Sequence, residues 1–416
     1  MTIRFNYILF GTALLVFLLL LPGTFESVFF FNISGFYISI IELIIFGCFL
    51  RYACLRCELK KLNFILILIV VCSLVASFLF LNFSRYDYVL LDVIFSNLTF
   101  IAFLFCFTFT VPAKIEAVFI VKALKVVVYG NFIYLLLTAI LIPNFLSVFF
   151  PELLSLRSGY SLDYLSSGII YRVQSLIGSA NTTGTLVCLI SVGILIHEIK
   201  LKKIDVTFHL ISFVLVCLTL SRTGMILFFL AYFVAQPKLI LNSIFTRKGL
   251  VGLIFGLIML FSMGIFESML QRLDGEGQTS LSVREVKLMS AVKAIEEQQP
   301  SLLGRSLGTG ESRNQAIFFN SKLVPESTYN AADYYIGESE NFILVLLFEG
   351  GPLVLVLFLF LLFLKDYPNN FTNISWFLVI FGYLMTESSF KTPQFLLVCL
   401  VSYWCFSSLN KNKVKS

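Results

Sequence analysis

Apolar runs of roughly membrane-spanning length recur along almost the whole chain and leave it few ways to fold. About 20 apolar residues cross a hydrocarbon core. The runs lie at approximately 6–22, 35–50, 64–81, 90–111, 126–146, 180–197, 206–220, 225–241, 249–266, 341–364, 374–386 and 392–408. Lipid offers the backbone no hydrogen-bond partner, so the spans are expected to be helices. A β-barrel would show short alternating segments instead. The fold class read from the sequence is an all-α polytopic membrane protein with about 12 transmembrane helices. Composition agrees: 58% of the 416 residues are hydrophobic and only 13% are charged, where a soluble chain carries about 25%. The first run follows Arg4 and has the shape of a signal peptide. Pro22-Gly23-Thr24-Phe25 offers no small-residue cleavage site, so it reads as an uncleaved span.

The net charge of +6 does not indicate a nucleic-acid partner, because most basic residues flank the apolar runs. They also fall on alternate sides. One side collects Arg4, Arg51, Arg56, Lys60, Lys61, Lys114, Lys122, Lys125, Lys200, Lys202, Lys203, Lys238, Arg247, Lys248, Lys365, Lys411, Lys413 and Lys415. The short loops opposite carry Arg85, Arg157, Arg172, Arg222 and Lys391. The positive-inside rule then puts both termini in the cytoplasm. It divides the chain into a bundle of about nine spans over 1–266, an outer loop over 267–340 and three helices over 341–416. A smaller outer loop lies near 147–179. The nine cysteines fall in apolar runs or in the basic stretch after the second run, so no disulfide framework is expected. Cys54-Leu55-Arg56-Cys57 has redox-motif spacing without a βαβ context.

The 267–340 segment is the one long stretch suited to water. It carries Arg272, Arg284, Arg305 and Arg313, the acids Asp274, Glu285, Glu338 and Glu340, and the turn Gly304-Arg305-Ser306-Leu307-Gly308-Thr309-Gly310. Leu281 to Gln299 has helical composition and stops at Pro300. The glycines beyond suit backbone N–H groups converging on an anion, although no strand precedes them and no Lys-Ser/Thr follows. About 16 residues separate Asp205 from Arg222, roughly 24 Å of helix against a hydrocarbon core of about 30 Å. Arg222 is therefore expected at or just below the outer boundary, either gripping an anion or snorkelling from a helix end. Arg172 stands above a small, polar helix start in which Gly178 and Gly184 permit close packing; it either binds a ligand or flanks a capped helix. A helix starting near Glu338 would align Glu338, Asn341, Val345 and Glu349 on one face. Glu338 and Glu340 also suit the helix dipole. Glu349 is deeper, beside Gly350-Gly351-Pro352, which should kink the helix. A buried carboxylate there requires a partner, either substrate or loosened backbone.

No histidine or cysteine falls on the outward face; His197 and His209 lie at inner ends of spans. Asp274-Gly275-Glu276 reads as a turn, not a metal site. Zinc and thiol chemistry are not expected there, and no metal or cofactor is expected. Arginine-stabilised anion chemistry with a carboxylate as general base remains. On the outer leaflet the matching anion is a polyprenyl diphosphate.

Three features resemble the O-antigen polymerase and ligase superfamily: Ser221-Arg222-Thr223-Gly224 after an apolar span, Arg284 to Gly310, and Glu338-Ser339-Glu340-Asn341 followed by Glu349-Gly350. The resemblance covers the topology and residues 170–390. It implies a GT-C-like fold in the bacterial inner membrane with a large periplasmic catalytic loop. Ligases characteristically place a histidine before the asparagine that opens the helix after that loop. Glu340 stands there, which points to the Wzy-type polymerase branch. Such enzymes join oligosaccharide repeat units carried on undecaprenyl diphosphate in O-antigen and lipopolysaccharide biosynthesis. The resemblance implies Arg222 and Arg284 on the diphosphate, Arg172 on sugar or phosphate, Arg272 and Arg305 in support, and Glu338 or Glu340 as the base. The substrate is then undecaprenyl-diphosphate-linked oligosaccharide, and a chain-length regulator membrane protein is a candidate partner.

Two alternatives remain: a ligase acting on lipid A-core, and a lipid-linked oligosaccharide flippase. A flippase needs charge within its spans, and Glu42 is the acid that favours it. Reporter fusions at Gln278 and Asn320 are expected to be active as alkaline phosphatase and silent as a cytoplasmic reporter. The reverse pattern would invert the topology.

Overall fold

The computed structural model describes residues 30–33, 36–39, 61–79, 114–136, 180–219, 221–235, 302–309, 341–363 and 371–386, with isolated positions between 90 and 104 and between 398 and 405. It is mostly helical. Eight α-helices are described: α1 Lys61–Leu79, α2 Lys114–Leu136, α3 Ala180–Leu201, α4 Val206–Leu218, α5 Arg222–Ala235, α6 Phe342–Val345, α7 Gly351–Phe363 and α8 Phe371–Thr386. A π-helical segment, Leu346–Gly350, joins α6 to α7. Two stretches are long and apolar enough to cross a membrane by length and composition, Thr182–Leu201 and Phe342–Phe360.

The all-helical expectation needs one correction. β1 Phe30–Ile33 and β2 Phe36–Ser39 pair antiparallel, with Phe30 opposite Ser39 and Ile33 opposite Phe36. The expected span 35–50 therefore begins as a strand. The cause is local: aromatic and β-branched residues flank the dipeptide Ser34-Gly35, a combination that favours a hairpin over a continuing helix.

α3 is the centre of the packing. Its residues from Thr183 to Glu198 are buried without interruption, so it is surrounded by protein. α4 and α5 form an antiparallel hairpin whose facing side chains include Phe213 with Phe228 and His209 with Tyr232. At the tight end Thr219 Oγ1 donates to Val216 O at 2.7 Å and Ser221 Oγ accepts from Gly224 N at 3.1 Å. Ser221 thus caps α5. Two glycines bring α5 against α3, as the small residues suggested for Gly184. A Cβ on Gly184 would stand 2.8 Å from Ser221 Cβ and 2.9 Å from Thr219 Oγ1, and a Cβ on Gly224 would stand 3.0 Å from the Gly184 backbone.

The opposite faces are apolar and open. Ile226, Phe229, Leu230 and Phe233 of α5 are exposed, as are Ile65, Leu68, Ile69 and Cys72 of α1. Both sets repeat at i, i+3, i+4, i+7, one continuous helical stripe. Stripes of this kind are aggregation surfaces in water and matched surfaces in lipid.

The kink expected at Gly350-Gly351-Pro352 is a sharp bend, so the span expected over 341–364 is not one straight helix. The rings of Phe342 and Phe358 lie 6.0 Å apart. In a straight helix their Cα atoms would be about 24 Å apart, more than two phenylalanine side chains reach across. Gly351, with φ 85° and ψ 160°, makes the break. Phe100 fills the angle, 6.0 Å from Phe342 and 5.7 Å from Phe358.

Gly184→Ala is expected to cost about 1–3 kcal/mol through overpacking, read as a lower Tm of the detergent-solubilised protein. Gly382→Ala should be milder, because the atom it meets is the end of the flexible Leu227 side chain. An unchanged Tm for Gly184→Ala would refute the close α3–α5 contact.

Candidate functional site

The bend is where the turn 302–309 meets the helices. The α6 helix begins at Phe342, with Asn341 as its N-cap: Asn341 Oδ1 accepts from Ile343 N at 3.1 Å and Leu344 N at 3.2 Å. The expected start near Glu338 is therefore displaced by one turn, because asparagine is the better cap. The α spacing that aligned Glu349 with Asn341 also fails. Residues 346–350 turn in the wider π form, which rotates Glu349 away from that register. π-Segments inside α-helices concentrate at functional sites.

The turn Leu302–Thr309 docks on this segment. Arg305 N donates to Glu349 O at 2.8 Å, and Gly308 N donates to Glu349 Oε2 at 2.8 Å. Glu349 is buried, with 1% of its surface exposed. Gly304 and Gly351 make the approach possible. Both have positive φ, at 76° and 85°, where glycine alone is unstrained. A Cβ on Gly304 would enter the backbone of Glu349 and Gly350, and one on Gly351 would stand 2.6 Å from Leu302 O. The other side of the turn is held by Asn97, whose Nδ2 donates to Val93 O at 2.6 Å, Ser306 Oγ at 3.0 Å and Leu307 O at 3.2 Å. The Arg305 guanidinium lies over the Phe348 ring, 5.6 Å from its centroid. Of the N–H groups expected to converge on an anion, one, Gly308 N, meets the Glu349 carboxylate, and Arg305 N meets a backbone carbonyl instead. One partner of the Glu349 carboxylate is the Gly308 N–H of the docked turn.

Of the residues singled out by sequence, Arg305 is in this docked turn. Arg222 is the first residue of α5, directly after the buried cap Ser221; its side chain lies outside the described part. A cation at a helix N-terminus opposes the dipole, so its position is costly unless an anion is nearby. Arg172, Arg272, Arg284, Glu338 and Glu340 lie outside the described residues, as do Gly178, Glu42 and the helix expected over 281–299. Asn97 was not among the site candidates, and Glu349 was read only as a buried carboxylate in need of a partner. Asn97 had a visible signal, a lone amide within an apolar run; its partner 209 positions away had none.

A second polar cluster joins α2, α3, α4 and α5. Lys125 Nζ donates to Glu198 Oε1 at 2.7 Å and to Asp205 Oδ2 at 2.8 Å. Asp205 N donates to Glu198 Oε2 at 2.8 Å. The His209 ring bridges Glu198 Oε2, 3.0 Å from Nε2, and the Tyr232 hydroxyl, 2.6 Å from Nδ1. Lys125 also lies 5.0 Å from the Phe208 ring centroid. Lys125 occupies the space between the two carboxylates, and among the described residues no group of His, Cys, Asp and Glu is arranged to hold a metal. Asp205 caps α4 through Phe208 N at 3.2 Å. This cluster reads as structural: every ionised group in it has an opposite charge or a directed donor.

A scan against protein-family models and a search of the curated proteins give no match to this chain. The functional reading rests on the residues themselves.

Asp205 carries a pH signature. Lys125 donating to its carboxylate holds its pKa below the ordinary aspartate value, against some desolvation. The folded pKa is depressed, so the stabilisation is complete above about pH 4 and is lost as pH falls through the folded value. Asp205→Asn is expected to flatten the acid side of a Tm-versus-pH profile taken between about pH 2 and 5. An unchanged acid slope would detach Asp205 from the cluster.

Proposed function

We propose that the protein is a membrane glycosyltransferase of the O-antigen polymerase type. It is read as having about 12 spans, a GT-C-like arrangement and both termini in the cytoplasm, acting at the outer face of a bacterial inner membrane. The observation that carries the reading is the docking of the arginine-bearing turn of the long polar loop onto a broken helix inside an apolar assembly. Charge-bearing loop and lipid-matched helices meet there, as a reaction on a lipid-linked anion requires.

Neighbouring helix ends, the broken helix at Gly351 apart, support the topology. His197 Nδ1 lies 2.6 Å from Cys405 O, and Lys125, Glu198 and Asp205 cluster together; the charge alternation places all of them at inner ends. Asn341 and Met385, both read as outer, are also neighbours. The exposed stripes of α1 and α5 support a lipid environment.

In this scheme the growing chain, on its undecaprenyl diphosphate, is the donor. A hydroxyl oxygen of the incoming lipid-linked unit attacks the donor's anomeric carbon. The bond from that carbon to the diphosphate oxygen breaks, and undecaprenyl diphosphate leaves. Arg222 and Arg284 stabilise the departing charge, Arg172, Arg272 and Arg305 support substrate, and Glu338 takes the hydroxyl proton, with Glu340 as the alternative base.

The test is polymerisation of synthetic lipid-linked repeat units by the purified protein. Parent protein should give a ladder. Arg222→Lys should be slower by about ten- to several-hundred-fold, since an ammonium cannot replace the planar fork of a guanidinium. Glu338→Gln should give no polymer. Transfer only to lipid A-core would make the protein a ligase, and movement of the units across vesicles without polymer would make it a flippase. Either result ends the polymerase reading.

A further inference from the structure

We propose that Glu349 is a positioning residue that clamps the 302–309 turn to the bent helix and sets the direction of the Arg305 guanidinium. Arg305's part in binding diphosphate rests on the glycosyltransferase reading above; the clamp itself does not.

Two consecutive residues of the π-segment hold Arg305. The Glu349 carbonyl accepts the Arg305 N–H at 2.8 Å, which fixes the backbone from which the side chain leaves. The Phe348 ring lies under the guanidinium, 5.6 Å from centroid to Cζ, which restricts its plane. The Glu349 carboxylate accepts Gly308 N–H at 2.8 Å, three residues further along. The turn is thus pinned at both ends by one residue. A charge-assisted bond of this kind is stronger than a neutral one, more so in apolar surroundings. Asn97 closes the far side on Ser306 and Leu307. Ser306, Leu307 and Thr309 have no exposed surface, so this side of the turn is closed to solvent, while Leu302 at its start is exposed.

The backbone break explains why the clamp has this form. Leaving α geometry at Gly350 and Gly351 frees the Glu349 carbonyl from the helix ladder, and a freed carbonyl away from water must find a donor. The loop supplies it. Breaking the clamp therefore releases Arg305 without removing it.

The experiment combines docking and activity. Ser306→Cys is introduced into the full-length parent protein and labelled with a membrane-impermeant maleimide. Labelling is expected to be slow in that background and about tenfold faster or more with Glu349→Ala, from loss of one charged hydrogen bond. Glu349→Gln keeps an oxygen for Gly308 N–H and should stay close to the slow rate. In the polymerisation assay Glu349→Ala should lower kcat about 10- to 100-fold. In an Arg305→Ala background it should add little, because the clamp acts through that side chain. Equal protection of Ser306→Cys in the parent and Glu349→Ala proteins overturns the clamp. Multiplicative losses in the double variant overturn the positioning of Arg305. Should Glu349→Ala fail to accumulate, Glu349→Met takes its place: it fills the space but offers Gly308 N–H no acceptor, and slow labelling there overturns the clamp. Labelling as expected with no polymer from the parent protein leaves the clamp standing and ends the glycosyltransferase reading.

Discussion

An interrupted backbone ladder inside an apolar assembly sets the terms for the described structure. A helix satisfies its own polar groups, and that is why apolar chains adopt it. At Gly351 the path turns to φ 85° and the ladder stops. The groups released there have no water to turn to. The turn 302–309 meets that demand with the N–H groups of Arg305 and Gly308. The break and the dock are therefore one feature. Two glycines with positive φ, Gly304 and Gly351, allow the two backbones to approach.

A different device holds the other half. α3, α4 and α5 are fastened at one end by small residues, Gly184, Ser221 and Gly224, and at the other by a polar cluster, Lys125, Glu198, Asp205 and His209. Dispersion at close range needs small side chains; a charge cluster needs several elements to share its desolvation cost. The two fastenings bracket a helix, α3, that is buried throughout, and they hold Arg222 at one end of the hairpin.

Several features were legible because their causes are local. Helical structure over 61–79, 180–201, 206–218 and 371–386 follows from long apolar runs without proline. The break at Gly350-Gly351-Pro352 follows from three residues that cannot continue a helix. The close approach at Gly184 follows from the absent side chain. The strands Phe30–Ile33 and Phe36–Ser39 were also written locally, but the apolar residues of the second made it look like the start of a span.

What the sequence by itself determined is the class of structure: apolar helices, a polar loop between them, and the places where a helix must stop or bend. These depend on neighbours along the chain, through backbone conformation and the hydropathy of a window. The tertiary structure alone decided which distant groups satisfy one another. Glu349 meets Gly308 across 41 positions, Asn97 meets Ser306 across 209, and Lys125 meets Glu198 across 73. A buried polar group must be paired, and the sequence states that requirement. It does not name the partner, because the partner is chosen by how the helices pack.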